Sequence, residues 1–368
     1  MVWSRTAPLA ASPETEGSET WIREGEGETL SFKVAVRYGK KTDLLKLKNN
    51  VVTTLPDTIA YFRRTRRALY AETPTEPVTE CPVCGRSSDD AEERAMIHAA
   101  VYVQCRSCTH VFVMRRPHGD AISRFYLSDT NYAATYVDKS AAENRLQTIA
   151  VPWHAWMVEA FQRARDRAPV SVLDVGSGAG HFVEACRRAG MRSQGNEISE
   201  VSRGFARTVW GIEMDGRDFR TVANETRCDV VTFWGLLEHT PCPADFLKAA
   251  RAVIGPDGMV IAKLPRWDSL STAAQIGSPD TVIRHLDPMG HIMCFTDASA
   301  AELFHRCGFK PVAAWYYGMD VYELITQACA HAGDFSPLVG SGAMQMAAQA
   351  FCDTIRAADG LVIAAVPS

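Results

Sequence analysis

The stretch Val172-Leu-Asp-Val-Gly-Ser-Gly-Ala-Gly-His-Phe182 constrains this chain more than any other. Apolar residues run straight into three alternating glycines and then into a helical pattern, so the segment reads as a strand, a sharp turn and a helix. Gly176, Gly178 and Gly180 let the backbone bend tightly and let a ligand approach it closely. A strand this apolar is buried on both faces, which calls for parallel neighbours and covering helices.

The C-terminal half supplies them. Strand patterns recur at 170–175, 192–198, 211–214, 229–234, 259–263, 310–315 and 361–366, mostly separated by helical stretches. One such helix starts near Pro243 and carries an apolar stripe of Phe246, Leu247, Ala250, Val253 and Ile254. The fold class is therefore α/β: a Rossmann-like, seven-stranded sheet with helices on both faces over 169–368. A helical insertion at about 318–357 interrupts it.

Upstream, Cys81-Pro-Val-Cys84 and Cys105-Arg-Ser-Cys108 show the spacing C-x₂-C-x₂₀-C-x₂-C. Four thiolates at that spacing close a tetrahedron around structural zinc and leave no position for water. A small zinc-ribbon-like head is expected over 78–117, and a helical connector over 118–168, whose Tyr126, Tyr132 and Tyr136 read either as a lid over the acceptor or as core packing. Residues 1–77 read as an extension with a strand near 29–38 and a basic helix over 59–70. The arginines at 63, 64, 66 and 67 read as its solvated face. The other seven of the eleven cysteines are scattered among apolar neighbours, which fits a reducing compartment.

Hydrophobic content of 46%, charged content of 22% and a net charge of −4 are those of a globular protein without a general pull towards nucleic acid. The longest apolar runs are far too short to cross a bilayer, and the N-terminal residues lack a signal-peptide core. A cytoplasmic location without membrane contact is expected, with oligomeric state left open.

The glycine turn favours S-adenosylmethionine over a dinucleotide. Asp174 stands just before the glycines, where a carboxylate suits an ammonium group and not a pyrophosphate. The spacing is Gly-x-Gly-x-Gly, and Glu197 at the end of the second strand is placed to accept ribose hydroxyls. Ser177 and Trp234 are assigned to the same cofactor site, His181 to its methionine end, and Asp218 with Phe219 to the adenine amine and ring.

From about 170 to 318 the chain resembles class I S-adenosylmethionine-dependent methyltransferases, the broad group that includes ubiquinone-pathway O-methyltransferases. The resemblance rests on Val172–Phe182, Glu197, Phe233-Trp-Gly-Leu-Leu-Glu-His-Thr-Pro241, 258–265 and Gly290-His-Ile-Met-Cys-Phe-Thr296. The four-cysteine head followed by a tyrosine-rich segment also resembles bacterial methyltransferases of polysaccharide and natural-product pathways. The resemblance implies methyl transfer to a small acceptor, here expected at an oxygen of a sugar or natural-product intermediate. C- or N-methylation, and RNA base methylation with the zinc head gripping RNA, are the alternatives; the acidic balance argues against RNA.

An acceptor hydroxyl must lose its proton, and neutral histidine is tuned for that near pH 7. His239 is the first candidate, then His291 and His285, with Glu238 orienting a histidine or touching the acceptor. Small-RNA 3′-terminal methyltransferases hold a divalent metal with Glu-x-x-Glu-His, but the matching run here is Gly235-Leu-Leu-Glu-His239. Metal-free chemistry is therefore expected, with zinc confined to the head.

Overall fold

The computed structural model describes residues 2–6, 16–24, 29–40, 42, 47, 54–118, 121 and 138–368. Tyr126, Tyr132 and Tyr136, read as a possible lid, lie outside the described residues. The strands are β1 (Val2–Thr6), β2 (Glu16–Glu24), β3 (Leu30–Tyr38), β4 (Thr75–Pro77), β5 (Glu92–Ile97), β6 (Ala100–Gln104), β7 (Val111–Val113) and β8 (Arg115–Pro117). They continue with β9 (Ser171–Val175), β10 (Arg192–Asn196), β11 (Val230–Trp234), β12 (Met259–Pro265), β13 (Met293–Cys294), β14 (Phe309–Tyr316) and β15 (Gly360–Pro367).

Nine strands form one sheet in the order β1-β2-β3-β14-β15-β12-β11-β9-β10. β10, β9, β11 and β12 run parallel, and β15 lies antiparallel between β12 and β14. From β9 the chain crosses first outward to β10 and then back to β11 on the other side. A crevice opens at such a reversal, beyond the carboxyl ends of the strands, and ligands of open α/β sheets bind there.

The expected strand at 211–214 does not form, and the residue just after it, Asp215, makes a single bridge to Asn196. The residues of that stretch are used to end the preceding helix, Glu200–Trp210: Gly211 adopts a φ of 67° and the Ile212 N–H closes on the Ala206 carbonyl. Six strands and this bridge fill the seven expected positions, and β1–β3 extend the sheet past β14.

Strand alternation divides the sheet into two faces. One carries Val172, Val230, Met259, Ile261, Val362 and Trp315, packed under the helix Val151–Arg165 through Trp156, Met157 and Phe161. The other carries Val175, Phe233, Val260 and Ile363. The helices Pro243–Ile254 and Asp297–Arg306 cover it, and so does the cysteine head through Val83, Val103 and Phe112.

The head is a four-stranded sheet of order β13-β7-β6-β5. Its edge strand β13 comes from the body, with Met293 opposite Phe112 and Cys294 opposite Val111. Three helices, Asp320–Ala332, Ser336–Gly340 and Gly342–Thr354, occupy the connection between β14 and β15. No helix among the described residues is long and apolar enough to cross a membrane.

Candidate active site

The crevice is lined first by Asp174, near the end of β9. It is 2% exposed, and the Thr232 hydroxyl donates to its Oδ1 at 2.7 Å. Burial pushes Asp174 up to about 7, opposed by that hydrogen bond. A cation against it would restore its charge.

The glycine turn follows. The Gly176 and Ser177 N–H groups both donate to the Asn196 carbonyl, at 2.8 and 3.1 Å, and the Ser177 hydroxyl donates back to the Asp174 carbonyl. Gly176 and Gly178 have φ values of 71° and 53°, which favour glycine. Gly180 sits at the start of the helix His181–Arg188, where a Cβ would come within 3.0 Å of the Ala206 Cβ. Glu197 accepts the Gly178 N–H at 2.8 Å and the Ser199 N–H at 2.7 Å, bracing the turn while each oxygen keeps a lone pair.

Other assigned residues fall differently. The His181 ring packs against Phe205 and Trp210, its Nε2 is buried without a partner, and burial lowers it to about 4. The Trp234 ring stacks on Trp153, centroids 4.3 Å apart. Phe219 corrects the expectation of an adenine cover: it is 1% exposed and packs edge-on against Phe233 inside the core. Asp218 caps its short helix and pairs with Arg220 at the surface.

Beyond β11, a 3₁₀ turn at Leu237–His239 places Glu238 and His239, and the segment before β13 brings His291 to them. His291 Nε2 lies 3.8 Å from Glu238 Oε1, His239 Nε2 lies 4.0 Å from the same oxygen, and the two rings are 5.1 Å apart. Gly290 permits this approach, since a Cβ there would stand 3.2 Å from His239 Cε1. His291 Nδ1 lies 2.7 Å from the His285 carbonyl, which can only accept. Nδ1 therefore carries the proton and Nε2 the lone pair. Burial holds His291 well below its ordinary value, so it is neutral at pH 7, and burial pushes the Glu238 carboxyl up.

His285 does not join this group as a base. Its ring is fully buried with Nε2 on the Thr272 hydroxyl, and burial takes it down to about 4. Its contribution is the carbonyl that orients His291.

The loop carrying His285 and His291 is held by remote residues. Arg66 does not belong to a solvated face: it is buried, and its Nε and Nη2 each bond Asp287 at 3.0 Å. Tyr102 of the head donates to the Leu286 and His291 carbonyls at 3.2 and 2.9 Å. Sequence reading also passed over Asn196, Thr232 and Lys263. Lys263 left a signal, a single charge inside the apolar run Met259-Val-Ile-Ala-Lys-Leu-Pro265.

The four head cysteines converge with all sulfurs within 4.8 Å of one another. Cys81 and Cys108 stand 3.6 Å apart and Cys84 and Cys105 3.7 Å, against about 3.8 Å for the edge of a zinc–thiolate tetrahedron. Two matching knuckles hold them: the Gly85 N–H bonds the Cys81 carbonyl and the Thr109 N–H bonds the Cys105 carbonyl, both at 2.9 Å. His110 is fully buried against Phe295 and stands apart from the sulfur group.

The reversed sheet, buried carboxylate and glycine turn define a cofactor-binding protein of the Rossmann-like class. The family described as a methyltransferase domain matches residues 147–314. A ubiquinone biosynthesis O-methyltransferase of Bordetella avium is 35% identical over 178 residues, 45% of this chain and 71% of that protein. The corresponding protein of Actinobacillus pleuropneumoniae serotype 5b is 35% identical over 113 residues, covering 27% of this chain and 47% of its own length. The chain thus spans about half the length of the latter. Among solved structures, the plantazolicin methyltransferase BamL is similar at a TM-score of 0.46 and 11% identity, over 68% of this chain and 94% of its own. The chain belongs to the class I S-adenosylmethionine-dependent methyltransferase family.

Proposed function

We propose that this protein transfers a methyl group from S-adenosylmethionine to an oxygen of a small acceptor, of the sugar or natural-product kind. The observation that carries the reading is the buried Asp174 beside a glycine turn braced by Glu197 and Asn196. Asp174 suits the donor's ammonium group, and the spare lone pairs of Glu197 suit its ribose hydroxyls. S-adenosylmethionine supplies the electrophilic methyl group. Transfer to an oxygen then needs a neutral base, and the His239–His291 pair offers one at His291 Nε2. The O-methyltransferase names of the relatives support oxygen over carbon or nitrogen.

A second reading rests on the same three groups. Ligand atoms of Glu238, His239 and His291 lie within 4.8 Å of one another, a set that could hold a divalent cation and polarise the acceptor. Turnover that survives exhaustive chelation favours the base; turnover restored by added magnesium or manganese favours the cation. At the head we infer one structural zinc, held by Cys81, Cys84, Cys105 and Cys108. Elemental analysis should return one zinc per chain.

Calorimetric titration with S-adenosylhomocysteine should show binding, and NAD should show none. Acceptor candidates screened for S-adenosylhomocysteine release, followed by product mass spectrometry, identify the methylated atom. A dinucleotide in place of S-adenosylhomocysteine would defeat the reading.

A further inference from the structure

We propose that Lys263, with Lys40 and the Trp234 indole N–H, binds an anionic group, a carboxylate or a phosphate, carried by the methyl acceptor. The inference rests on the methyl-transfer reading above.

Lys263 lies near the carboxyl end of β12, paired in register with Trp234 of β11 and Val362 of β15. Alternation along these strands puts it on the same face as Asp174, one strand beyond Trp234. It is partly exposed in a strand otherwise buried, and its ammonium makes no hydrogen bond or ion pair with any described residue. The charges of Glu238, Asp359, Arg284 and Lys40 act on it. Asp359 is already engaged by Arg284, the Ser271 hydroxyl and the Met319 N–H, and Glu238 faces the two histidines. All three N–H bonds of Lys263 remain unused.

Two further donors stand nearby. The Trp234 Nε1 is buried without a partner, and its ring is fixed by stacking on Trp153, whose own Nε1 donates to the Tyr317 hydroxyl. The Lys40 ammonium lies 5.5 Å from the Tyr317 ring centroid. It donates to the Thr148 carbonyl at 2.8 Å and the Thr42 hydroxyl at 3.1 Å, leaving one N–H, and no described carboxylate pairs with it.

An ammonium taken from water without a compensating anion is costly. Burial lowers both lysines below their ordinary value, Lys40 to about 8, and the Lys263 charge adds to the effect at Lys40. An anion between them removes both penalties, and donors fixed in advance lose little freedom on binding it. Glu238 faces both Lys263 and His291, so a group held at Lys263 brings the rest of the acceptor up to the histidine pair.

The test uses the full chain saturated with S-adenosylhomocysteine, titrated with benzoate, phenyl phosphate and benzyl alcohol at constant ionic strength. At least one anion should bind at least ~10-fold more tightly than the alcohol. Lys263→Met should remove most of that preference, Lys40→Met should act in the same direction, and Lys263→Arg should retain it. Benzoate against phenyl phosphate separates a carboxylate from a phosphate. Equal binding of anions and alcohol, no detectable binding of either anion, or an unchanged preference in Lys263→Met overturns the proposal, and the wild-type comparison decides if a variant does not fold. Failure to bind S-adenosylhomocysteine overturns the methyl-transfer reading as well; binding it without anion preference overturns this inference alone.

Discussion

The two sides of the crevice are built in different ways. The glycine turn is assembled from one short run of chain: Gly176 and Ser177 bond to Asn196 and Gly178 to Glu197, about twenty positions on, while the Ser177 hydroxyl bonds back to Asp174. The histidine side is assembled from afar. Arg66 reaches Asp287 across 221 positions and Tyr102 reaches the His291 carbonyl across 189. A site made locally keeps its shape as long as its own strand and helix persist. A site made remotely depends on the packing of several segments, and here on the cysteine head.

The sharpest way to break this contrast is to strip the zinc proposed for the head. Zinc binding to such sites is worth roughly 10 kcal/mol or more, most of it folding free energy. Chelation should therefore loosen 92–113 and 285–294 together, seen as faster amide hydrogen exchange, while 171–197 stays protected. Equal loosening of both regions would erase the distinction.

Next in size is Arg66→Met, which strands Asp287 without its partner and should cost about 3–5 kcal/mol of stability. Its lowered melting temperature should be accompanied by S-adenosylhomocysteine affinity within a few-fold of wild type in the folded protein. His239→Ala and His291→Ala should each lower turnover by ~10²-fold, about 2.7 kcal/mol, again with the cofactor affinity retained. Near-normal turnover of both with the true acceptor would reject the histidine base.

The glycine-turn side has its own signature in pH. Asp174 is raised to about 7 by burial, so below that value it is mostly protonated and must lose its proton to face an ammonium. S-adenosylhomocysteine affinity should fall as pH drops through 7, by at most ~10-fold per pH unit, and level off above it. Asp174→Asn should bind weakly and without this slope. The smallest effect is expected from Tyr102→Phe, which removes one hydroxyl shared by two carbonyls and should cost about 1 kcal/mol.

The same contrast explains what could be read from the sequence. The run Val172–Phe182 and the two cysteine pairs were legible because their chemistry sits at fixed short spacing. Strand periodicity located β9, β11, β12, β14 and β15, since an apolar run bounded by turns carries its own signature. Gly211 to Met214 misled because a helix end and a short strand use the same residues. Phe219 misled because a ring next to a charged pair can point either to a ligand or into the core, and only the neighbours Phe233 and Phe246 decide. Arg66 looked like one of four surface arginines; the carboxylate that draws it inside is on another segment. Lys263 was within reach, as a charge in a strand buried on both faces demands a reason.

The pairing of β13 with β7 means that the cysteine head is not a detachable ornament. Excising it would bare the edge of Met293 and Cys294 to other chains and leave the Leu286 and His291 carbonyls without the Tyr102 hydroxyl. Any graft that moves this catalytic body to a new context must carry the cysteine pairs along, or replace the edge they cover.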